Sequence, residues 1–198
     1  MQPLFTHNSL ALGAWGVSLL IWRVMETGVD IKTFKRFRAG VQRQDKGSHM
    51  VLICLTVVGI LLGFVLAFRV PATAIPVSGV VFWLGILLMW VGMAFRFYAI
   101  TVLGAFFTAT VAIAAEQSLV EAGPYRLIRH PSYTGILIIL LGLGLSLTNW
   151  LSLLVIMGCA LIGLGYRIRV EEHALQEHLG QQYQEYMQRT KRLIPFVL

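Results

Sequence analysis

A chain of 198 residues that is 57% hydrophobic and 13% charged is too apolar for a soluble domain, and its apolar residues come in long blocks. The net charge of +7 does not point to nucleic acid, because no interleaving of aromatic and basic residues offers a base-stacking surface. Cys54 and Cys159 fall inside apolar runs with no CxxC or histidine spacing around them, which supports neither a disulfide framework nor a metal site and leaves them as packing residues.

An all-α polytopic membrane protein follows, a single membrane domain over 1–198. Crossing the hydrocarbon takes roughly 17 to 25 apolar residues. Four runs qualify, at about 8–22, 50–68, 75–95 and 150–166, and a fifth, 133–148, is short. The N-terminus has no basic region and no small-residue cleavage site, so 8–22 is read as a retained span. Between the first two spans lies a loop with Arg23, Lys32, Lys35, Arg36, Arg38, Arg43 and Lys46, which places it in the cytoplasm. "GSHM" at Gly47 to Met50 reads as an unremarkable piece of that loop.

The uncharged stretch 97–115 is decided by charge. If it does not cross, five transmembrane helices put Arg96, Arg126, Arg129, Arg167, Arg169, Arg189, Lys191 and Arg192 on the first loop's side and leave Arg69 outside. The N-terminus is then outside and the C-terminus cytoplasmic. The third helix overruns into the cytoplasm, and "TATVAI" alternates as a short strand or extended connector does. This connector ends where Pro131 enters the first turn of the fourth span, a position where its missing N–H costs nothing. "LTNW" makes a tight turn between the fourth and fifth spans, and so a helical hairpin. After Tyr166 the chain becomes polar, with Leu175, Leu179, Tyr183, Tyr186 and Met187 near helical spacing, as in an amphipathic helix continuing the fifth span. "LIPFVL" follows as a tail that packs back or meets the interface. Gly13 and Gly16, Gly142 and Gly144, and Gly163 and Gly165 read as close-packing positions between helices.

Two polar groups meet at the open end of that hairpin: "QSLVEAGPYRLIRHPSY" before the fourth span and "YRIRVEE" after the fifth. Taken singly, each residue has an ordinary use. Arg167 and Glu171 could be a surface ion pair worth ~0.3–0.5 kcal/mol, His130 a hydrogen-bonded helix start, Arg126 and Arg129 lipid anchors, and Tyr125 and Tyr133 belt residues. Belts and anchors, however, need no fixed order and no glycine or proline between them. Other chemistries lack their parts: no Walker loop, HExxH, GxSxG, CxxC or strand-borne GxGxxG occurs, and the spans hold almost no ionisable residue at mid-membrane.

From about Leu103 to Phe196 the chain resembles the integral-membrane methyltransferases typified by isoprenylcysteine carboxyl methyltransferase. The likeness rests on "LVEAGPYRLIRHPSYTG", Glu171 and Glu172, "GQQYQEY" and "RLIPF". The resemblance implies S-adenosyl-L-methionine as cofactor, held by cytoplasmic elements at 104–133 and 167–198. Gln117, Ser118, Leu119 and Val120 match the family's extended cofactor segment, with Gln117 where a histidine is usual. Tyr125, His130, Pro131, Ser132 and Tyr133 match its second segment, Glu171 the carboxylate that meets the cofactor's amino group, and Arg167 the catalytic arginine facing the substrate carboxylate. No metal is implied. The expected acceptor is the carboxylate of a prenylated cysteine or an analogous lipid-like molecule entering from the bilayer, with membrane lipids as surroundings. Alternatives are a phospholipid amine N-methyltransferase, with Glu172 or His173 as base, and an NADPH-dependent sterol-reductase-like enzyme. Before Leu103 the chain carries no transferable motif.

Overall fold

The computed structural model describes residues 3–38, 42–43, 45–104, 107, 112–113 and 119–195. Six helices carry the fold: α1 (Ser9–Arg38), α2 (Ser48–Arg69), α3 (Ser78–Leu103), α4 (Pro131–Ser146), α5 (Trp150–Leu179) and α6 (Gln181–Arg189). Among the described residues three of them, α2, α3 and α5, are long and apolar enough to cross a membrane, and α4 is a shorter apolar helix. The fold is thus helical and membrane-embedded, and one small β element departs from the all-α expectation. β1 (Gln42–Arg43) pairs antiparallel with β2 (Ala112–Ile113), so the alternating stretch after α3 does contain a short strand.

The core lies between α3, α4 and α5. Phe82, Met89 and Met93 of α3 meet Ile139, Leu140 and Leu143 of α4, and Ile156 and Ala160 of α5 close the layer. Helices approach this closely where side chains vanish. A Cβ added at Gly85 would come 2.5 Å from the carbonyl oxygen of Gly142, and one added at Gly142 would come 2.5 Å from that of Gly85. Of the glycines expected to pack, Gly142, Gly144 and Gly163 do so, whereas Gly13, Gly16 and Gly165 face open space. Gly85, like Gly142, stands within an apolar run, and composition alone cannot say which side of a helix meets a neighbour.

The α4–α5 hairpin forms as expected from "LTNW". Thr148 takes a left-handed conformation (φ 50°) and Asn149 caps α5, its side chain accepting from the Ser152 N–H at 3.0 Å. Ser152 Oγ also donates to the Gly63 carbonyl at 2.6 Å, fastening α5 to α2. The hairpin's other end therefore opens where the polar residues gather. The single amphipathic helix expected after Tyr166 is instead two: α5 runs on to Leu179, Gly180 (φ 55°) breaks it, and α6 turns back. The turn lets Tyr183 and Tyr186 be buried, while the segment after α6 lies beside the connector. There Ile128 and Lys191 form a parallel bridge, with Arg129 N–H donating to the Lys191 carbonyl and His130 N–H to that of Arg192. Residues 196–198 lie outside the described residues.

Candidate active site

The site is assembled from the end of the connector, the start of α4 and the stretch of α5 beyond its apolar part. Adjacent glutamates on α5 point about 100° apart, and the two differ in company. Glu172 is buried and held by two arginines: Arg129 Nε donates to Oε1 at 2.9 Å, and Arg192 Nη2 and Nε donate to Oε2 at 2.9 and 3.0 Å. Arg129 Nη1 also donates to the carbonyls of Met187 and Thr190. One carboxylate thus ties connector, α5 and tail together, and its hydrogen bond raises the Arg192 guanidinium further above its ordinary value.

Glu171 instead faces the aromatic residues of the connector. Tyr133 Oη donates to Glu171 Oε2 at 2.5 Å and accepts from Arg167 Nε at 3.1 Å. His130 stacks on Tyr133, with ring centroids 5.4 Å apart and planes 7° apart, and its Nδ1 lies 3.9 Å from Glu171 Oε2. His130 Nε2 is buried with no hydrogen-bond partner among the described residues, although Glu172 Oε1 is 3.4 Å away. The two polar clusters of the sequence do converge. Arg167 and Glu171, four residues apart on one helix, communicate through the Tyr133 phenol that stands between them.

The remaining sequence-predicted residues are placed as follows. Tyr125 is buried and its carbonyl accepts from Tyr186 Oη at 2.7 Å. Burial raises the Tyr125, Tyr183 and Tyr186 phenols above their ordinary value, and the Glu171 charge adds to the effect on Tyr125 and Tyr183. Leu119 and Val120 are half-buried. Pro131 and Ser132 are buried at the start of α4, where Ser132 Oγ accepts from Arg96 Nη1 at 2.7 Å. Gln117 and Ser118 lie outside the described residues.

Arg167 is buried to 1% exposure, and besides Tyr133 it has partners in a part of the chain expected to hold none. Its Nη1 donates to Asp45 Oδ1 and to Ser48 Oγ, so the "GSHM" segment is part of the site. The available signal was Asp45 itself, the one acid in the basic stretch 32–46. Arg96 and Glu26 were also missed. Arg96 Nε and Nη2 donate to the two oxygens of Glu26, each at 2.7 Å, joining α1 to α3.

A cavity of about 280 Å³ borders Arg167 and Tyr133. Trp22 of α1, Leu52, Ile53, Val57 and Ile60 of α2, and Ile136 of α4 give it a mostly apolar wall, into which Arg23, Glu26, Asp30, His49, Arg96, Tyr133 and Arg167 bring polar groups. It can take an elongated apolar molecule with a polar terminus. Opposite it, across Tyr133, stand Glu171 and His130.

These helices and this cluster define an integral membrane protein with a polar site at one end of its bundle, approached by an apolar cavity. A sequence model of the isoprenylcysteine carboxyl methyltransferase (ICMT) family matches residues 83–177. Protein-S-isoprenylcysteine O-methyltransferase B of Arabidopsis thaliana is 36% identical over 115 residues, 57% of this chain and 58% of that one. Protein-S-isoprenylcysteine O-methyltransferase of Saccharomyces cerevisiae is 36% identical over 116 residues, 58% of this chain and 48% of that one. A solved structure of the eukaryotic intramembrane Ras methyltransferase ICMT superimposes with a TM-score of 0.59 at 28% identity, covering 73% of this chain and 52% of that one. Over residues 83–177 the chain is similar to the isoprenylcysteine carboxyl methyltransferase family, and it spans about half the length of the curated relatives it matches.

Proposed function

We propose that the chain is an S-adenosylmethionine-dependent methyltransferase that acts at the cytoplasmic membrane interface on the carboxylate of a prenylated cysteine or an analogous lipid-like acceptor. In this reading five spans leave the N-terminus outside and the C-terminus, with the site, in the cytoplasm. The observation that carries the proposal is that one phenol, Tyr133, joins two differently solvated halves. On one side is the apolar cavity ending on Arg167, and on the other the partly exposed Glu171 carboxylate.

The residues present fit the cofactor. Glu171 offers a carboxylate to an amino group, His130 a buried imidazole stacked on Tyr133, and Tyr125, Leu119 and Val120 aromatic and apolar surface. When bound, S-adenosylmethionine supplies a methyl group on a positively charged sulfur. A carboxylate acceptor is already ionised at neutral pH, so the chain need not remove a proton. Its tasks are to bind, to align and to exclude water. Arg167 orients the carboxylate by charge-assisted hydrogen bonding, Tyr133 fixes Arg167 relative to Glu171, and the apolar walls keep the local dielectric low, which favours the merging of opposite charges.

An amine acceptor would arrive protonated and need a base. Glu172 is engaged by Arg129 and Arg192, and His173 is exposed and faces Glu177, so neither proposed base is turned to the cavity. Calorimetry in detergent is expected to show binding of S-adenosylhomocysteine and none of NADPH, and labelled methyl is expected on S-prenylcysteine carboxylates, lost in Tyr133→Phe by about 10-fold or more. Label appearing only in phospholipid headgroups would overturn the carboxylate reading.

A further inference from the structure

The guanidinium of Arg167 is almost sealed from solvent, and a buried cation needs an anion beside it. Asp45 meets that need. Its side chain has no exposed surface, and its carboxylate accepts from Arg167 Nη1, from Ser48 Oγ at 2.8 Å and from the His49 N–H at 3.3 Å. Asp45 precedes a turn in which Lys46 and Gly47 are both left-handed (φ 46° and 78°), immediately before α2 begins. The acid therefore stands on a turn at a helix start and not within a helix, next to the cavity that ends on Arg167.

Resting on the proposed methylation of a carboxylate, we infer that Asp45 is a resident stand-in for the acceptor's carboxylate. It neutralises Arg167 while the site is empty and gives up that position when the acceptor arrives. The reason is charge. Glu171 already lies on the far side of Tyr133, and a second carboxylate brought to the same guanidinium beside Asp45 would set two like charges close together, a repulsion relieved when one of them moves off. Asp45, on its turn, can withdraw. The consequence is selectivity: an acceptor without a carboxylate has no means of displacing Asp45, so neutral prenyl lipids and already methylated product are disfavoured at Arg167. Asp45 is a positioning residue in this account, since it acts through Arg167 and does not touch the reacting atoms.

The test uses the full chain in detergent with an N-acyl S-prenylcysteine as acceptor and its carboxamide as an unreactive competitor. Asp45→Asn is expected to lower the acceptor KM about 10-fold, the scale of one charge-assisted hydrogen bond no longer contested, with kcat retained. Carboxamide inhibition should strengthen, since the neutral competitor no longer has to displace an acid, and S-adenosylhomocysteine binding should be unchanged. Ser48→Ala removes one bond to Asp45 and one to Arg167, so it is expected to shift KM the same way by less, and Asp45→Ser, which keeps a small polar group there without the charge, decides the matter if Asp45→Asn does not fold. An unchanged or raised KM, or a fall in kcat alone, would overturn the inference while leaving carboxylate methylation standing. If the wild-type chain methylates only amines, the functional reading fails and this inference with it.

Discussion

The Arg96–Glu26 pair gives the sharpest stability test. Arg96 lies in α3 with 5% of its side chain exposed, and two of its bonds, both 2.7 Å, go to Glu26 on α1, itself 22% exposed. Glu26→Ala would leave a buried guanidinium with only the Ser132 carbonyl and hydroxyl for company. Removing one partner of a buried ion pair costs about 3–5 kcal/mol, and partial access of water at Glu26 sets the expectation at the lower end, about 3. At roughly 2–4 °C per kcal/mol for a chain of this size, the apparent Tm should fall by about 6–12 °C. Intrinsic fluorescence during heating in one detergent follows the loss, and Trp22, whose Nε1 donates to Glu26 Oε1, is one of the five tryptophans that contribute to it. The double variant Glu26→Leu with Arg96→Met removes both charges and should recover to within about 1 kcal/mol of wild type. A loss below about 1 kcal/mol in Glu26→Ala, or a double variant as damaged as the sum of the singles, would refute the reasoning.

Gly142→Ala is expected to destabilise by about 2–3 kcal/mol, because the new Cβ would meet backbone atoms of Gly85 and Met89 that cannot move aside, while Gly13→Ala, with nothing nearby, should be neutral or slightly stabilising in the same melts. Tyr125, Tyr183 and Tyr186 favour their neutral form in the fold, so their contribution to stability is complete below the ordinary phenol value of about 10 and is lost as the pH rises beyond it. Near-ultraviolet absorbance should show these phenols ionising together with loss of helicity, and ionisation near pH 10 in an intact fold would contradict their burial.

What was legible in the sequence was what depends on local runs. Apolar blocks mark α2, α3 and α5 by length alone, Pro131 marks the start of α4, and "LTNW" marks the hairpin because Asn149 is a strong cap. The hairpin then brings His130 and Tyr133 to Glu171 with no further information. What the sequence hid was long-range pairing. Nothing near Asp45 announces Arg167, which lies 122 residues away, and nothing near Glu26 announces Arg96, 70 residues away. Glycine positions fared in between: their spacing shows that they are in helices, but only the packing partner tells Gly142 from Gly13. The divided helix at Gly180 was missed because a polar helix with buried tyrosines reads the same whether it runs straight or folds back.

The backbone of Lys191 and Arg192 bonds to Ile128's neighbours and lies downstream of every helix that crosses the bilayer. The apolar helices and the closure of the polar site are therefore encoded in separate parts of the chain. A chain shortened before Lys191 would keep every one of those apolar helices yet lose the strand-like partner that holds Arg129 and His130 in place.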